Sequence, residues 1–320
     1  QLNHESEIEY AIQIILTLLL SICQQISPTG REHRQCNIPD SMLKTELVIN
    51  CIKKSPNPQT HHHALLLLSH LALMTPDQVL HDIIPIFTFV GNALVRHDDS
   101  YSYQIIEKVI ENIIPKLIRH ENELKAVIPV LKIFSSIVLD VPEHRRLALY
   151  TKLLQTLGPD KFLWPFIAVL LEHQIMIKKK QQKQTQEDLP PRLFFALLLA
   201  KEFDLKTTIE TTNSLLLYLK SLPMIITEQG GSSTSETIFC VKTHTNFQLR
   251  GFKYTTAVFL KYLLESKEVL RKAQALKDTD EVDFQSLISN SLLLIPIVTK
   301  HHEANNQGEM CVNAPKLSDD

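Results

Sequence analysis

Helix signals follow one another along residues 61–120 with no strand-like alternation between them, and this segment constrains the fold most. Its first run, residues 64–74, is apolar almost all round, which is typical of a helix packed on both sides. Thr75, Pro76 and Asp77 then supply an N-cap oxygen, a proline suited to the first helical position and a first-turn negative charge. A second helix is therefore predicted to begin at Pro76.

A third helix start follows at residues 98–100, Asp-Asp-Ser. Behind it, apolar residues recur in pairs every four positions: Ile105, Ile106, Val109, Ile110, Ile113, Ile114, Leu117 and Ile118. This spacing predicts one broad apolar stripe along a helix. Such a stripe requires a second layer of helices to cover it.

A short phrase of the form apolar–Ile–Pro–apolar also returns along the chain, at residues 83–87, 113–117, 127–131 and 294–298. Helical hairpins that are weakly self-similar and cannot bury their faces alone are typical of an α-solenoid of the HEAT or armadillo kind. The phrase returns at uneven intervals, so the spacing indicates helical repeats without identifying a family. A proline inside a helix, such as Pro129, is expected to kink or split it.

Composition supports a helical fold. The 320 residues include seven glycines, far below the usual share of about 7%, and a fold rich in hairpin turns would need more. We therefore predict an all-α fold, a HEAT/armadillo-like α-solenoid of stacked antiparallel helix pairs. Lys and Arg total 33 against 35 for Asp and Glu, so the overall charge exerts no strong attraction on nucleic acid.

Residues 81–118, HDIIPIFTFVGNALVRHDDSYSYQIIEKVIENIIPKLI, resemble the very large HEAT-repeat proteins of the small-subunit processome, which are small nucleolar RNA-associated proteins. The resemblance depends on PIFTF at 85–89, on the helix ending IIP, and on a turn made of Arg96, Asp98, Asp99, Ser100, Tyr101 and Ser102. Weaker similarity extends to residues 7–28 and 243–264. Members of that family are several times longer than this chain, which is thus expected to be an internal piece; its first residue, Gln1, fits that expectation.

The polar and proline-rich stretches predict the domain organisation. Residues 1–177 are expected to form HEAT-like helical repeats. Residues 178–192, which read KKKQQKQTQEDLPPR, are polar and basic and are expected to form a linker or loop. Residues 193–300 are expected to continue the helical repeats, with a loop at 227–236 and one long helix at 246–275. A polar, disordered tail is predicted for residues 301–320.

Cysteine usage and hydropathy indicate which cellular compartment suits the chain. The five cysteines are odd in number, scattered and without a C-x-x-C pair, which is typical of a reducing compartment. Residues 7–26 are predicted to form one amphipathic helix, and their most apolar run, 11–23, is shorter than the roughly 20 residues that a membrane span needs. No membrane association is therefore predicted.

Two basic clusters are candidate contact sites for RNA or for a protein partner. The first is the set Lys178, Lys179, Lys180 and Lys183 in the predicted linker. The second is Arg145 and Arg146, which with His144 and Lys152 would form a smaller basic strip on a helix. Lysine and arginine neutralise phosphates in a sequence-independent, salt-sensitive way. A solvated loop kept soluble by its charges is the alternative interpretation of the lysine cluster.

No motif for catalysis stands out. The sequence contains no Gly-rich phosphate loop, no G-x-S-x-G and no H-E-x-x-H. Adjacent helical residues point in different directions, so the run His61–His63 is expected to be a polar helix start and not a zinc site. We predict a non-catalytic protein without a cofactor or metal.

An extended surface of repeated helices predicts a binding scaffold. The resemblance implies the setting: a nucleolar scaffold of the small-subunit processome that supports ribosomal RNA processing, with a further expected role in ribosomal DNA transcription. Its implied partners are other processome proteins, small nucleolar RNA and precursor ribosomal RNA, contacted directly or through the complex. A helical-repeat transport receptor or cargo adaptor that binds proteins without RNA is the alternative.

Overall fold

The computed structural model describes residues 2–26, 44–96, 99–118, 123–176, 189–223, 238–239 and 244–275. All regular secondary structure in these ranges is helical, in thirteen helices, so the prediction of an all-α fold is confirmed. The chain forms two compact units, residues 1–158 and 159–320.

The first unit is built from helices that pack in two layers. Its helices are α1 (Leu2–Ile26), α2 (Thr45–Lys54), α3 (Pro58–Met74), α4 (Pro76–His81), α5 (Ile83–Arg96), α6 (Ser100–Leu117), α7 (Glu123–Ile137) and α8 (Glu143–Leu157). Helices α1, α3, α6 and α8 pack one against the next in one layer, while α5 packs against α7 in the other. Contacts of α6 with α5 and α7 join the layers.

The α6 stripe and α3 form the centre of this unit. Seven of the eight stripe residues predicted on α6 are buried, and the eighth, Ile118, is half-buried at the helix end. Helix α3 buries residues on several sides, because it packs against α1, α2, α4 and α6. The prediction that residues 64–74 form a helix packed on more than one side is therefore confirmed.

Two of the predicted helix starts differ in how they are capped. Helix α6 begins as expected after Asp99, whose carboxylate accepts the backbone N–H of Ser102 at 2.7 Å. Helix α4 begins at Pro76, but the predicted capping role of the Thr75 side chain is wrong. The Thr75 hydroxyl instead donates to the carbonyl of Leu71 in the preceding helix, at 3.3 Å.

Three buried aromatic rings connect α5, α7 and α8. The ring centroids of Phe87 and Phe134 are 5.7 Å apart, and Tyr150 meets Phe134 edge-on at 6.0 Å. The Tyr150 hydroxyl donates to the backbone carbonyl of Phe134 at 2.6 Å. Since Phe134 lies in the last turn of α7, the tyrosine supplies a buried donor at a helix end.

The second unit packs around α9. Its helices are α9 (Pro159–Met176), α10 (Pro191–Lys201), α11 (Leu205–Ser221), α12 (Asn246–Leu264) and α13 (Lys267–Ala275). Helix α9 contacts α10, α11 and α12, and alternate helices pack again as α10 on α12 and α11 on α13. The single helix predicted for residues 246–275 is wrong, because a turn at Glu265 and Ser266 separates α12 from α13.

Prolines do not divide the helices that contain them. Helices α6, α7 and α9 run without a break through Pro115, Pro129 and Pro165. The helix with Pro129 is therefore not split. Helix α10 begins at Pro191, two residues inside the predicted linker, because proline suits the first helical turn, where an N–H would have no helical partner.

Several predictions lie outside the described residues. These are the lysine-rich part of the linker at 178–188, the loop at 227–236, the end of the repeats at 276–300 and the tail at 301–320. They stay predictions.

Helix α1 is the one described helix whose length and composition would allow it to cross a membrane, over Glu7–Ile26. The mean hydropathy of its best window is 1.4, and 17% of that window is buried. Its buried residues, Leu16, Leu20 and Cys23, belong to the side that packs on α3. The absence of a membrane association stays a prediction.

Gly158 ends α8 with a φ of +95°, the only positive φ among the described residues. Replacing Gly158 with Ala should lower the free energy of unfolding by about 1–2 kcal/mol, because an L residue is strained there although no atom lies within 4 Å of the added Cβ. Gly251→Ala is the matched control: its Cβ would meet Ile175 at an ordinary 3.4 Å within a helix, so it should stabilise by about 0.5–1 kcal/mol. Urea unfolding followed by circular dichroism measures both changes. Equal effects of the two substitutions would contradict the backbone strain assigned to an L residue at position 158.

Candidate functional site

The first predicted contact cluster, Lys178, Lys179, Lys180 and Lys183, lies outside the described residues. Helix α9 ends at Met176, just before it. The Met176 sulfur accepts a hydrogen bond from the side-chain amide of Gln248 in α12, at 3.2 Å. The contact of the lysines with RNA or a partner stays a prediction.

The second predicted cluster, Arg145 and Arg146, lies in the first turn of α8, and the structure gives the two residues different surroundings. The Arg145 guanidinium stands 4.6 Å from the ring centroid of Tyr103. Arg146 donates to the carbonyls of Leu139 and Val141, with Nη2–O distances of 3.1 and 2.9 Å. These carbonyls belong to the turn between α7 and α8, so Arg146 holds that turn. Contact of either arginine with RNA stays a prediction.

The strip that would extend this cluster is partly neutralised. Lys152 forms an ion pair with Glu111 of α6, with an Nζ–Oε1 distance of 2.6 Å. The hydrogen bond and charge of Glu111 raise the pKa of Lys152 above its usual value. Both side chains are well exposed, so the pair contributes little stability. It does reduce the positive charge that α8 presents to an anion.

A histidine, a serine and an aspartate meet near the start of α3, as they would in a hydrolase, but with different hydrogen bonding. The Ser102 hydroxyl donates to the Asp99 carboxylate, and His62 Nε2 lies 2.7 Å from the Ser102 oxygen. Because the serine has a single proton, His62 must be the donor to it. A nucleophilic serine instead donates to its histidine. The bonds from Ser102 lower the pKa of Asp99, and the group is a helix cap tied to α3.

A second group of polar residues is buried in the second unit and supports its backbone. Lys253 donates to the carbonyls of Leu222 and Pro223 at 3.4 and 2.9 Å, and burial lowers the pKa of its amine. The Tyr218 hydroxyl accepts the Phe239 N–H at 3.0 Å, and burial raises the pKa of Tyr218 well above its usual range. These bonds hold the end of α11 and the segment at 238–239. Their partners are backbone atoms of this unit, as expected for a structural role.

The exposed face of α1 is a candidate protein interface. Its exposed apolar residues are Ile8, Tyr10, Ile14, Ile15, Leu18, Leu19 and Ile22. Ile8, Ile15 and Ile22 recur every seven residues with Leu18 between the last two, which is the spacing of a helix–helix seam. Polar contacts of Glu9 and Gln13 with Thr60 orient α1 on α3, so this seam faces away from the unit.

The amino-acid sequence does not by itself reveal this seam. Residues 7–26 show the amphipathic pattern of a helix with one buried side, and both of its apolar stripes contribute to that pattern. The seven-residue spacing of the isoleucines was the available signal. Only the packing of Leu16, Leu20 and Cys23 against α3 separates the buried stripe from the exposed one.

Comparisons with known proteins agree with this architecture. The family described as "HEATR1-like, HEAT repeats" matches residues 122–316. The HEAT repeat-containing protein 1 homolog of Drosophila melanogaster is 38% identical over 315 residues, which is 96% of this chain and 15% of that protein. The human HEAT repeat-containing protein 1 is 35% identical over 291 residues, 84% of this chain and 14% of that protein.

A further relative is U3 small nucleolar RNA-associated protein 10 of Aspergillus clavatus, 33% identical over 183 residues. That match covers 55% of this chain and 10% of the fungal protein. The chain thus spans 10–15% of the length of these relatives. The family match confirms the prediction of a HEAT-type α-solenoid.

The two arginines of α8 should differ in their effect on stability. Arg146→Ala should lower the free energy of unfolding by about 1–2 kcal/mol, since it leaves the carbonyls of Leu139 and Val141 without their charged donor. Arg145→Ala is the matched control in the same turn and should cost less, about 0.5–1 kcal/mol, because it removes the cation–π contact of a half-buried guanidinium with the Tyr103 ring. Urea unfolding measures both. A larger loss for Arg145 would contradict the structural role of Arg146.

Proposed function

The chain belongs to the HEATR1-like family of HEAT-repeat proteins, and from this we propose that it is part of a non-catalytic scaffold of the nucleolar small-subunit processome. In this role it supports small-subunit ribosomal RNA processing and ribosome biogenesis in the nucleus, without association with a membrane. The observation that carries the proposal is the similarity along most of the chain to HEAT repeat-containing protein 1, together with the relative named for association with U3 small nucleolar RNA.

The described surface supports a scaffold role. A scaffold requires outward faces that bind partners, and α1 has an exposed apolar seam next to the stripe that it buries on α3. A helix that is apolar over most of its circumference is typically covered on more than one side. The β-branched residues Ile8, Ile15 and Ile22, with Leu18 between them, fit against the side chains of a second helix.

We expect the occupant of this seam to be an amphipathic helix of another processome protein. The remaining arc of α1, with Thr17, Ser21 and Gln24, is exposed and polar. The hydroxyls of Thr17 and Ser21 donate to carbonyls of their own helix, so it is the Gln24 amide that would lose its water in a membrane and that favours a protein partner. Against another helix this amide stays at the solvated edge of the interface.

Small nucleolar RNA and precursor ribosomal RNA are expected partners of the assembly. This chain would contact them directly or through other subunits. Lys178, Lys179, Lys180 and Lys183 supply a run of positive charge in the sequence, and Arg145 and Arg146 lie together on α8. A role in ribosomal DNA transcription would use the same scaffold.

Purification of the full-length protein from cells, with and without ribonuclease, tests the proposed function. We expect processome proteins to be recovered in both samples and U3 and precursor ribosomal RNA in the untreated one. Recovery of transport factors or their cargo without RNA would replace the proposal with the transport-adaptor alternative. Charge reversal of the four lysines in the same experiment should reduce the RNA recovered if they contact it.

The α1 seam is tested by Ile15→Glu with Leu18→Glu in the full-length protein. Burial of each apolar side chain contributes about 1.5–3 kcal/mol to the binding free energy. The double variant should therefore recover at least about tenfold less of at least one co-purifying protein. Thr17→Glu with Ser21→Glu is the matched control, with the same added charge on the exposed polar arc, and should retain that protein. Equal recovery of every co-purifying protein by the unaltered protein and by both double variants would contradict the interface.

A further inference from the structure

Helix α12 has an outward face on which aromatic and basic residues alternate. We call Phe247, Arg250, Tyr254, Lys261 and Tyr262 the α12 stripe; all five are exposed, and the three aromatic residues are 72, 55 and 44% exposed. At 100° per residue they lie within one arc of the helix. The opposite arc holds the buried residues Leu249, Phe252, Lys253, Thr256, Phe259, Leu260 and Leu263.

Packing explains why this arc faces outward. Helix α12 contacts α9, α10, α11 and α13, so its apolar arc is fully used inside the second unit. The sequence pattern alone places Tyr254 and Tyr262 among the apolar residues of the helix. Both tyrosines are exposed instead, so they contribute little to the core, in which aromatic side chains usually bury a large apolar area.

The stripe is linear. From Phe247 to Tyr262 the helix rises about 22 Å, and Tyr254 lies near the middle, so successive aromatic rings are about 10–12 Å apart along the axis. Arg250 lies between the first two rings, and Lys261 lies next to the third. The carboxylate on the same arc, Glu265, follows at the end of the helix.

Alternating planar rings and cations fit a polymer that carries planar bases and phosphates. Single-stranded nucleic acid binds to aromatic side chains by stacking and to basic side chains through its backbone, and arginine adds cation–π contacts. Bases in a duplex are not available for such stacking. We propose that the α12 stripe binds single-stranded RNA.

The spacing favours RNA over a protein partner. A protein hot spot is a compact cluster that excludes water at its centre, ringed by weaker contacts. Here the rings are separated from one another by about 10–12 Å along the helix axis. A scaffold role needs no direct RNA contact by this chain, so the inference deepens the proposed function and depends on it only for the cellular source of the RNA.

Fluorescence anisotropy of a labelled oligouridylate with the purified 320-residue chain tests the proposal. Phe247→Ala with Tyr254→Ala should weaken binding by about 30-fold or more, because each stacked base contributes about 1–3 kcal/mol. Phe194→Ala with Tyr101→Ala is the matched control: it removes a phenylalanine and a tyrosine that are 52 and 55% exposed, and should leave binding unchanged. Circular dichroism must show equal helix content for all proteins compared.

Charge reversal supplies a second readout that loss of packing would not change. Arg250→Glu with Lys261→Glu should reduce the dependence of binding on salt by about one or more in the slope of log K against log salt, the loss of two phosphate contacts. Lys206→Glu with Lys220→Glu on α11 is the control of equal charge, at two exposed positions, and should keep the slope. A duplex of the same length should bind more weakly than the single strand.

Three results would overturn the proposal. One is no binding of the oligouridylate by the unaltered chain. Another is binding that survives the stripe variants but disappears when Lys178, Lys179, Lys180 and Lys183 are reversed, which would place RNA on the lysine run. The third is loss of a protein from ribonuclease-treated purifications by the stripe variants with RNA binding unchanged, which would make the face a protein interface. The cellular purification tests the scaffold role separately, so either idea can fail alone.

Discussion

An apolar stripe that a helix cannot cover by itself is the constraint on which each unit depends. In the first unit, α6 carries such a stripe, and its branched residues meet α3 on one side and α8 on the other. In the second, α9 buries ten residues against the helices around it. Since the burial of apolar area is the main favourable contribution to folding, these two helices organise their neighbours. The layers follow because each added helix exposes a new face for the next.

Several polar side chains satisfy backbone groups at the ends of helices. Arg146 closes the turn after α7, Asp99 caps α6 by accepting the Ser102 N–H, and Lys253 holds the end of α11. Buried carbonyl and amide groups without partners are costly, so these contacts are needed wherever a helix ends inside the packing. This use explains why residues that resemble a catalytic set, such as His62 with Ser102 and Asp99, belong to the architecture.

Interaction with other molecules therefore belongs to the outer faces, and two of them differ in chemistry. The α1 seam is aliphatic and has the spacing of a helix–helix contact, which fits a protein. The α12 stripe is aromatic and basic and extends along a line, which fits single-stranded RNA. This protein can present both because α1 and α12 each use one side for packing and leave the other exposed. The remaining arc of each helix is then free to vary with the partner.

Local pattern was sufficient for much of the architecture. The Asp99 cap, the proline at the start of α4 and the paired isoleucines of α6 act within a few residues of one another, so these helices could be predicted from the sequence, whereas the break between α12 and α13 was not. Tertiary packing decided the rest. It turned the Thr75 hydroxyl back to α3 and engaged Arg146 with backbone carbonyls. It also separated the two apolar stripes of α1 and left Tyr254 and Tyr262 in solvent, because an apolar residue is buried only where a neighbouring helix covers it.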